Sequence, residues 1–146
     1  MRTPIRTIVV DDYEPWCRFV RLTLLAQEEL QVIGQFGDGP EAIQKTEELQ
    51  PDLILLDISL PTLNGIEVAR RIREISPTSK ILFLSENRSL DVAEEALRTG
   101  AGGYVAKSDA ARELLPGIKT VLEGKRFISS TMADRFAIAA TLTRRK

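Results

Sequence analysis

The chain contains no histidine, which removes imidazole from every functional argument. Histidine-ligated metal sites and Ser–His or Cys–His catalytic pairs are excluded. A single cysteine, Cys17, forbids an internal disulfide and fits a reducing compartment. With no histidine to activate it, Cys17 is expected to pack, and Trp16 and the scattered arginines read equally plainly. No apolar run approaches the ~18 residues needed to span a bilayer. Met1-Arg2-Thr3-Pro4 leads straight into a short strand-like run without a secretory hydrophobic segment. A cytoplasmic protein with no membrane attachment is expected. Internal repeats and low-complexity tracts are also missing.

The remaining composition is that of an ordinary globular chain, with 146 residues, 43% apolar and 28% charged. One domain is expected, burying roughly two-thirds of its unfolded surface. The net charge of −1 conceals an asymmetry. Met1 to Gly124 carries 14 basic and 20 acidic residues, whereas Lys125 to Lys146 carries six basic and one acidic. A basic tail can meet nucleic acid, but a solvated linker is the simpler reading.

Short apolar runs alternate with amphipathic ones. Thr7–Val10, Gln31–Phe36, Leu53–Leu56, Ile81–Leu84 and Gly103–Ala106 are the strand candidates. Leu53-Ile54-Leu55-Leu56 and Ile81-Leu82-Phe83-Leu84 are continuously apolar, as suits parallel strands buried on both faces. Between and after them, apolar residues recur three and four apart, from Trp16, Phe19, Val20 and Leu24 through to Leu114, Ile118, Val121 and Leu122. Pro51, Pro77, Gly100 and Gly124 supply helix stops. Pro116 fits less well: it predicts that the fifth helix starts late or bends. Five strands alternating with five helices predict a doubly wound α/β domain. Residues 1–129 form that domain in this reading, and 130–146 a linker helix and tail beginning with Ser130–Ala140.

Ligands in such sheets bind beyond the carboxyl ends of the strands, so the residues just past each strand are informative. Asp11 and Asp12 follow the first strand, Asp57 the third, Ser85 the fourth and Lys107 the fifth. Gly37 and Asp38, after the second, are expected to lie to the side. Three crowded carboxylates raise one another's pKa unless a cation is present. Mg²⁺, a hard ion that takes one or two carboxylates with waters and a phosphate oxygen, suits them. A carboxylate can attack phosphorus, while the metal and lysine neutralise the phosphoryl oxygens. Taken singly, the Asp-Asp pair is a loop start, Asp57 and Ser85 are caps, and Lys107 is a surface lysine. Their joint placement carries the inference.

On these residues the sequence resembles the receiver domains of two-component response regulators. The motifs are Val9-Val10-Asp11-Asp12, Leu55-Leu56-Asp57-Ile58-Ser59-Leu60-Pro61, Asn64-Gly65, Leu84-Ser85 and Gly100 through Lys107. The resemblance covers about Arg6 to Ser129. It implies a flavodoxin-like (βα)5 sandwich with a parallel five-stranded sheet in the order 2-1-3-4-5, the order of the chemotaxis receiver, which belongs to the same family. It further implies that Asp57 accepts phosphate from the phosphohistidine of a separate sensor histidine kinase. Asp12, Asp57 and the Ser59 backbone carbonyl would bind Mg²⁺, with Asp11 acting chiefly through water. Ser85 and Lys107 would hold the phosphoryl oxygens, and Tyr104 would be the aromatic switch that turns inward. Such a domain is a signalling acceptor rather than an enzyme, catalysing only its own phosphotransfer and dephosphorylation.

The ending Glu123-Gly124-Lys125-Arg126-Phe127-Ile128-Ser129 resembles the subgroup with a C-terminal helix-turn-helix. That implies control of transcription, a homodimer on phosphorylation, and DNA binding only through an output domain this chain lacks. Glu86 departs from the small residue usual after the hydroxyl, Ser108 from the proline common after the lysine, and Ser59 and Asn87 stand at variable positions. Glu86 is expected to narrow access to the phosphate. Two other readings are a phosphohydrolase, which would place a second Asp where Ser59 stands, and a phosphorylation-independent pseudo-receiver.

Overall fold

A computed structural model describes residues 3–144. Met1 and Arg2 of the N-terminal reading, and Arg145 and Lys146 of the basic tail, lie outside the described residues. The chain runs β1 (Ile5–Val10), α1 (Glu14–Leu25), β2 (Leu30–Phe36), α2 (Gly39–Leu49), β3 (Leu53–Leu56) and α3 (Gly65–Ile75). It continues through β4 (Lys80–Ser85), α4 (Leu90–Arg98), β5 (Gly103–Ala106), α5 (Ala110–Leu122), β6 (Phe127–Ile128) and α6 (Ser130–Arg144). All strand pairs are parallel, and the sheet order is β2-β1-β3-β4-β5-β6.

The fully apolar β3 is central, and all four of its residues are buried. Its alternate side chains feed two cores. Ile54 and Leu56 join Val68, Ile72, Ala93 and Ala96 on the face covered by α2, α3 and α4. Leu53 and Leu55 join Val20, Leu24, Leu114 and Ile118 on the face covered by α1 and α5. The helical stripes thus do what their spacing predicts, burying one side of each helix on the sheet.

One expectation is corrected and another is narrowed. The sheet has six strands rather than five: β6 extends the order 2-1-3-4-5 by pairing Phe127 with Gly103 and Ile128 with Tyr104. The Phe127 N–H donates to the Gly102 carbonyl at 3.0 Å, and the Ser129 N–H to the Tyr104 carbonyl at 3.0 Å. This short strand satisfies backbone groups that an open β5 edge would leave unpaired. The fifth helix does not start late, because α5 begins at Ala110 and runs through Pro116. Arg112 and Pro116 are both exposed, so water can serve the carbonyl that the proline leaves without a donor.

The last helix is anchored on the domain. Met132 is wholly buried in the α2–α4 side core, and Phe136 packs against it. Buried Asp109 accepts hydrogen bonds from the Thr131 N–H at 3.0 Å and the Thr131 hydroxyl at 2.8 Å.

Candidate phosphoacceptor and metal site

The parallel sheet brings the ends of β1, β3, β4 and β5 to one edge. Pairing fixes their heights: the Asp57 N–H donates to the Val10 carbonyl at 2.9 Å, and the Asp11 N–H to the Phe36 carbonyl at 3.0 Å. Asp11, Asp12 and Asp57 each place a carboxylate oxygen within 4.8 Å of the others. Asp11 and Asp57 are buried while Asp12 is exposed. Asp38 occupies the cap position of α2 and is not part of this group, as its place after β2 predicts.

The loop after β3 is shaped to hold Asp57. Its Oδ1 accepts the Ile58 N–H at 2.8 Å, and the Gly65 N–H returns to the Ile58 carbonyl at 2.7 Å. A Cβ on Gly65 would lie 2.0 Å from the Asp57 carbonyl oxygen, so only glycine lets α3 start this close. Asn64 then caps α3, its Oδ1 accepting the Ile66 and Glu67 N–H groups at 2.9 and 3.1 Å. Ser59 lies exposed, two residues beyond Asp57.

Lys107 reaches back from the end of β5. Its Nζ donates to Asp11 Oδ2 at 2.7 Å and lies 3.5 Å from Asp57 Oδ2. Burial pushes the Asp57 carboxyl up to about 6; the Asp11 charge adds to this, and Lys107 and the Ile58 and Ser59 N–H groups only partly oppose it. Burial acts to lower Lys107, but its bond to Asp11 and the charges of Asp57, Asp11 and Glu86 outweigh that and hold it above its ordinary value. One ammonium therefore does not compensate the carboxylates. A divalent cation fits this oxygen-only, under-neutralised donor set.

Ser85 is buried, and its Oγ accepts the Asn87 N–H at 3.0 Å. Tyr104 lies on the inside: its ring is wholly buried, 6.2 Å from that of Phe83, and its hydroxyl donates to the Asn87 carbonyl at 2.6 Å. Asn87 thus joins Ser85 and Tyr104 through its two backbone groups.

Glu86 is exposed and, with Trp16, Arg88, Lys107 and Ser108, walls an open hollow of about 520 Å³ beside the carboxylates. In the sequence Trp16 carries only a packing role in the α1 stripe. Its ring centroid lies 4.9 Å from Lys107 Nζ, a relation between distant positions that no local spacing reveals. Cys17 behaves as expected: it is buried, its Sγ donates to the Asp11 carbonyl, and burial pushes its thiol up to about 11.

Comparison with known proteins agrees with this geometry. The response regulator receiver domain family matches residues 7–119. The response regulator GacA of Pseudomonas viridiflava is 31% identical over 134 residues, covering 92% of this chain and 63% of that protein. The transcriptional regulatory protein DegU of Brevibacillus brevis is 32% identical over 124 residues, covering 85% of this chain and 52% of that protein. The chain therefore spans between half and two-thirds of the length of these relatives. The crystal structure of a two-component response regulator of the LuxR family from Aurantimonas sp. SI85-9A1 superposes with a TM-score of 0.90 at 29% identity, covering 95% of this chain and 99% of that one. With acidic residues clustered at the strand ends, a lysine reaching them from β5 and this match along most of its length, the chain belongs to the receiver domains of two-component response regulators.

Proposed function

We propose that Asp57 is the phosphoacceptor and that a sensor histidine kinase supplies the phosphoryl group. An Asp57 carboxylate oxygen attacks phosphorus, forming an O–P bond as the N–P bond of phosphohistidine breaks. The imidazole leaves, taking up a proton. The observation that carries this reading is the convergence of Asp11, Asp12 and Asp57 within 4.8 Å, with Lys107 reaching both buried carboxylates. Asp12, Asp57 and the Ser59 carbonyl would hold Mg²⁺ in this reading, with Asp11 acting chiefly through water. When bound, Mg²⁺ supplies positive charge to the phosphoryl oxygens. Lys107 and the Ser85 hydroxyl hold the remaining oxygens by charge-assisted hydrogen bonds.

A phosphoryl group adds about −1.5 to −2 charges. In this reading Ser85 and Lys107 draw toward it, Tyr104 is held inward, and α4, β5 and α5 re-present a surface. Moving a two-state equilibrium from 1:99 to 99:1 takes ~5.5 kcal/mol of differential interaction, within reach of several charge-assisted bonds. The output proposed is a homodimer that controls transcription in the cytoplasm. Residues 1–129 are the receiver and 130–146 a linker toward a DNA-binding domain beyond this chain.

The test is intact mass after incubation with acetyl phosphate, with and without Mg²⁺, alongside Asp57→Ala. A Mg²⁺-dependent phosphate adduct that Asp57→Ala abolishes supports the reading. No adduct, under conditions shown to preserve acyl phosphates, contradicts it.

A further inference from the structure

Resting on the acceptor reading above, we propose that Trp16 is a positioning residue for Lys107, its ring face steering the ammonium between Asp11 and the group carried by Asp57. Three features converge on Lys107 Nζ: Asp11 Oδ2 at 2.7 Å, Asp57 Oδ2 at 3.5 Å and the Trp16 ring at 4.9 Å to its centroid. The ring is itself held, half-buried and tilted against Phe19 with centroids 5.1 Å apart. Lysine is a flexible point charge whose position must be imposed by its surroundings. The shorter contact pulls it toward Asp11, whereas a phosphoryl group on Asp57 requires it to swing outward. The negative face of an indole offers the ammonium an attractive surface for that swing. Glu86 lines the same hollow and adds to the charges favouring the ammonium form. Trp16 touches no reacting atom in this scheme and acts through Lys107.

The scheme separates quadrupole from bulk. Tryptophan attracts a cation best, phenylalanine less, and leucine fills apolar space without an aromatic face. The experiment titrates the full chain, in Mg²⁺, with beryllium fluoride as a phosphoryl mimic, and reads binding by fluorine NMR. Trp16→Leu is expected to weaken apparent affinity roughly three- to tenfold and Trp16→Phe less, the span of a part-desolvated cation–π contact. In a Lys107→Met background Trp16→Leu is expected to add nothing. Trp16 is the only tryptophan, so its emission reports this site, and its change on binding is expected to disappear in Lys107→Met. Circular dichroism checks that each variant is folded. Wild-type affinity in folded Trp16→Leu, or an equal loss with and without Lys107, overturns the proposal while leaving the acceptor reading intact. Wild-type protein that binds no beryllium fluoride overturns both.

Discussion

Lys107 Nζ sits 2.7 Å from Asp11 Oδ2 and 3.5 Å from Asp57 Oδ2, so the ammonium favours the neighbouring carboxylate over the acceptor. Both acids are buried, and removing their shared partner leaves them uncompensated. Lys107→Ala is therefore expected to destabilise the fold by on the order of 3 kcal/mol at neutral pH in a chelator. Urea denaturation measures this, and added Mg²⁺ should restore part of the loss. An unchanged midpoint would show that the pairing contributes little.

Asp57 gives a pH signature of unusual sign for a carboxylate. Burial raises its folded pKa to about 6, above the ordinary 3.8. The charged form is thus disfavoured by folding, so its contribution is full below the unfolded pKa and is lost as pH rises through about 6. Asp57→Asn, which cannot ionise, should match wild type near pH 4 and exceed it by on the order of 2 kcal/mol at pH 7 in a chelator. Chemical denaturation across that window checks it. A gap that does not grow with pH contradicts the cause assigned to the shift.

Gly65 should not tolerate alanine, despite opening a helix. Alanine is favoured in helix interiors by about 1 kcal/mol. Here its Cβ would meet the Asp57 carbonyl oxygen at 2.0 Å and Ile58 Cα at 2.8 Å, both backbone atoms. Gly65→Ala is expected to cost more than about 2 kcal/mol through overpacking, with slower acetyl phosphate labelling as the Asp57 loop shifts. Denaturation and intact mass on one sample test both halves.

The Tyr104 hydroxyl ties β5 to the loop between β4 and α4 through the Asn87 carbonyl, at 2.6 Å. Tyr104→Phe keeps the ring and deletes that bond, at an expected cost of roughly 1 kcal/mol. Amide hydrogen exchange over residues 86–89 should quicken while the β4 amides stay protected. Equal exchange in both proteins would mean that the hydroxyl does not hold the loop.

Much of this was legible because burial on both sheet faces writes itself into continuous runs such as Leu53–Leu56, observed as β3 with the bounds the pattern predicts. The strand-end rule pointed to Asp11, Asp12 and Asp57, which do cluster, and to Lys107, which reaches two of them, without knowledge of loop geometry. Phe127–Ile128 escaped notice because two residues cannot show a period; they become a strand only because β5 offers an edge. Pro116 left two outcomes open, a late start or a bend, and burial of Leu114, Gly117, Ile118 and Val121 carries α5 through it from Ala110, which excludes the late start. Trp16 showed only its helical stripe in the sequence. That its ring also faces Lys107 depends on how α1 and the end of β5 meet in three dimensions.

The identity of the acceptor is read out by labelling with acetyl phosphate in Mg²⁺, reducing with borohydride and mapping the peptides by mass spectrometry. Borohydride converts an aspartyl phosphate to homoserine, so the modified residue is marked covalently. Homoserine is expected at position 57 and at no other aspartate, with none formed when Mg²⁺ is withheld. Homoserine at Asp11 or Asp12 instead, or a stable phosphate on a hydroxyl residue, would contradict it.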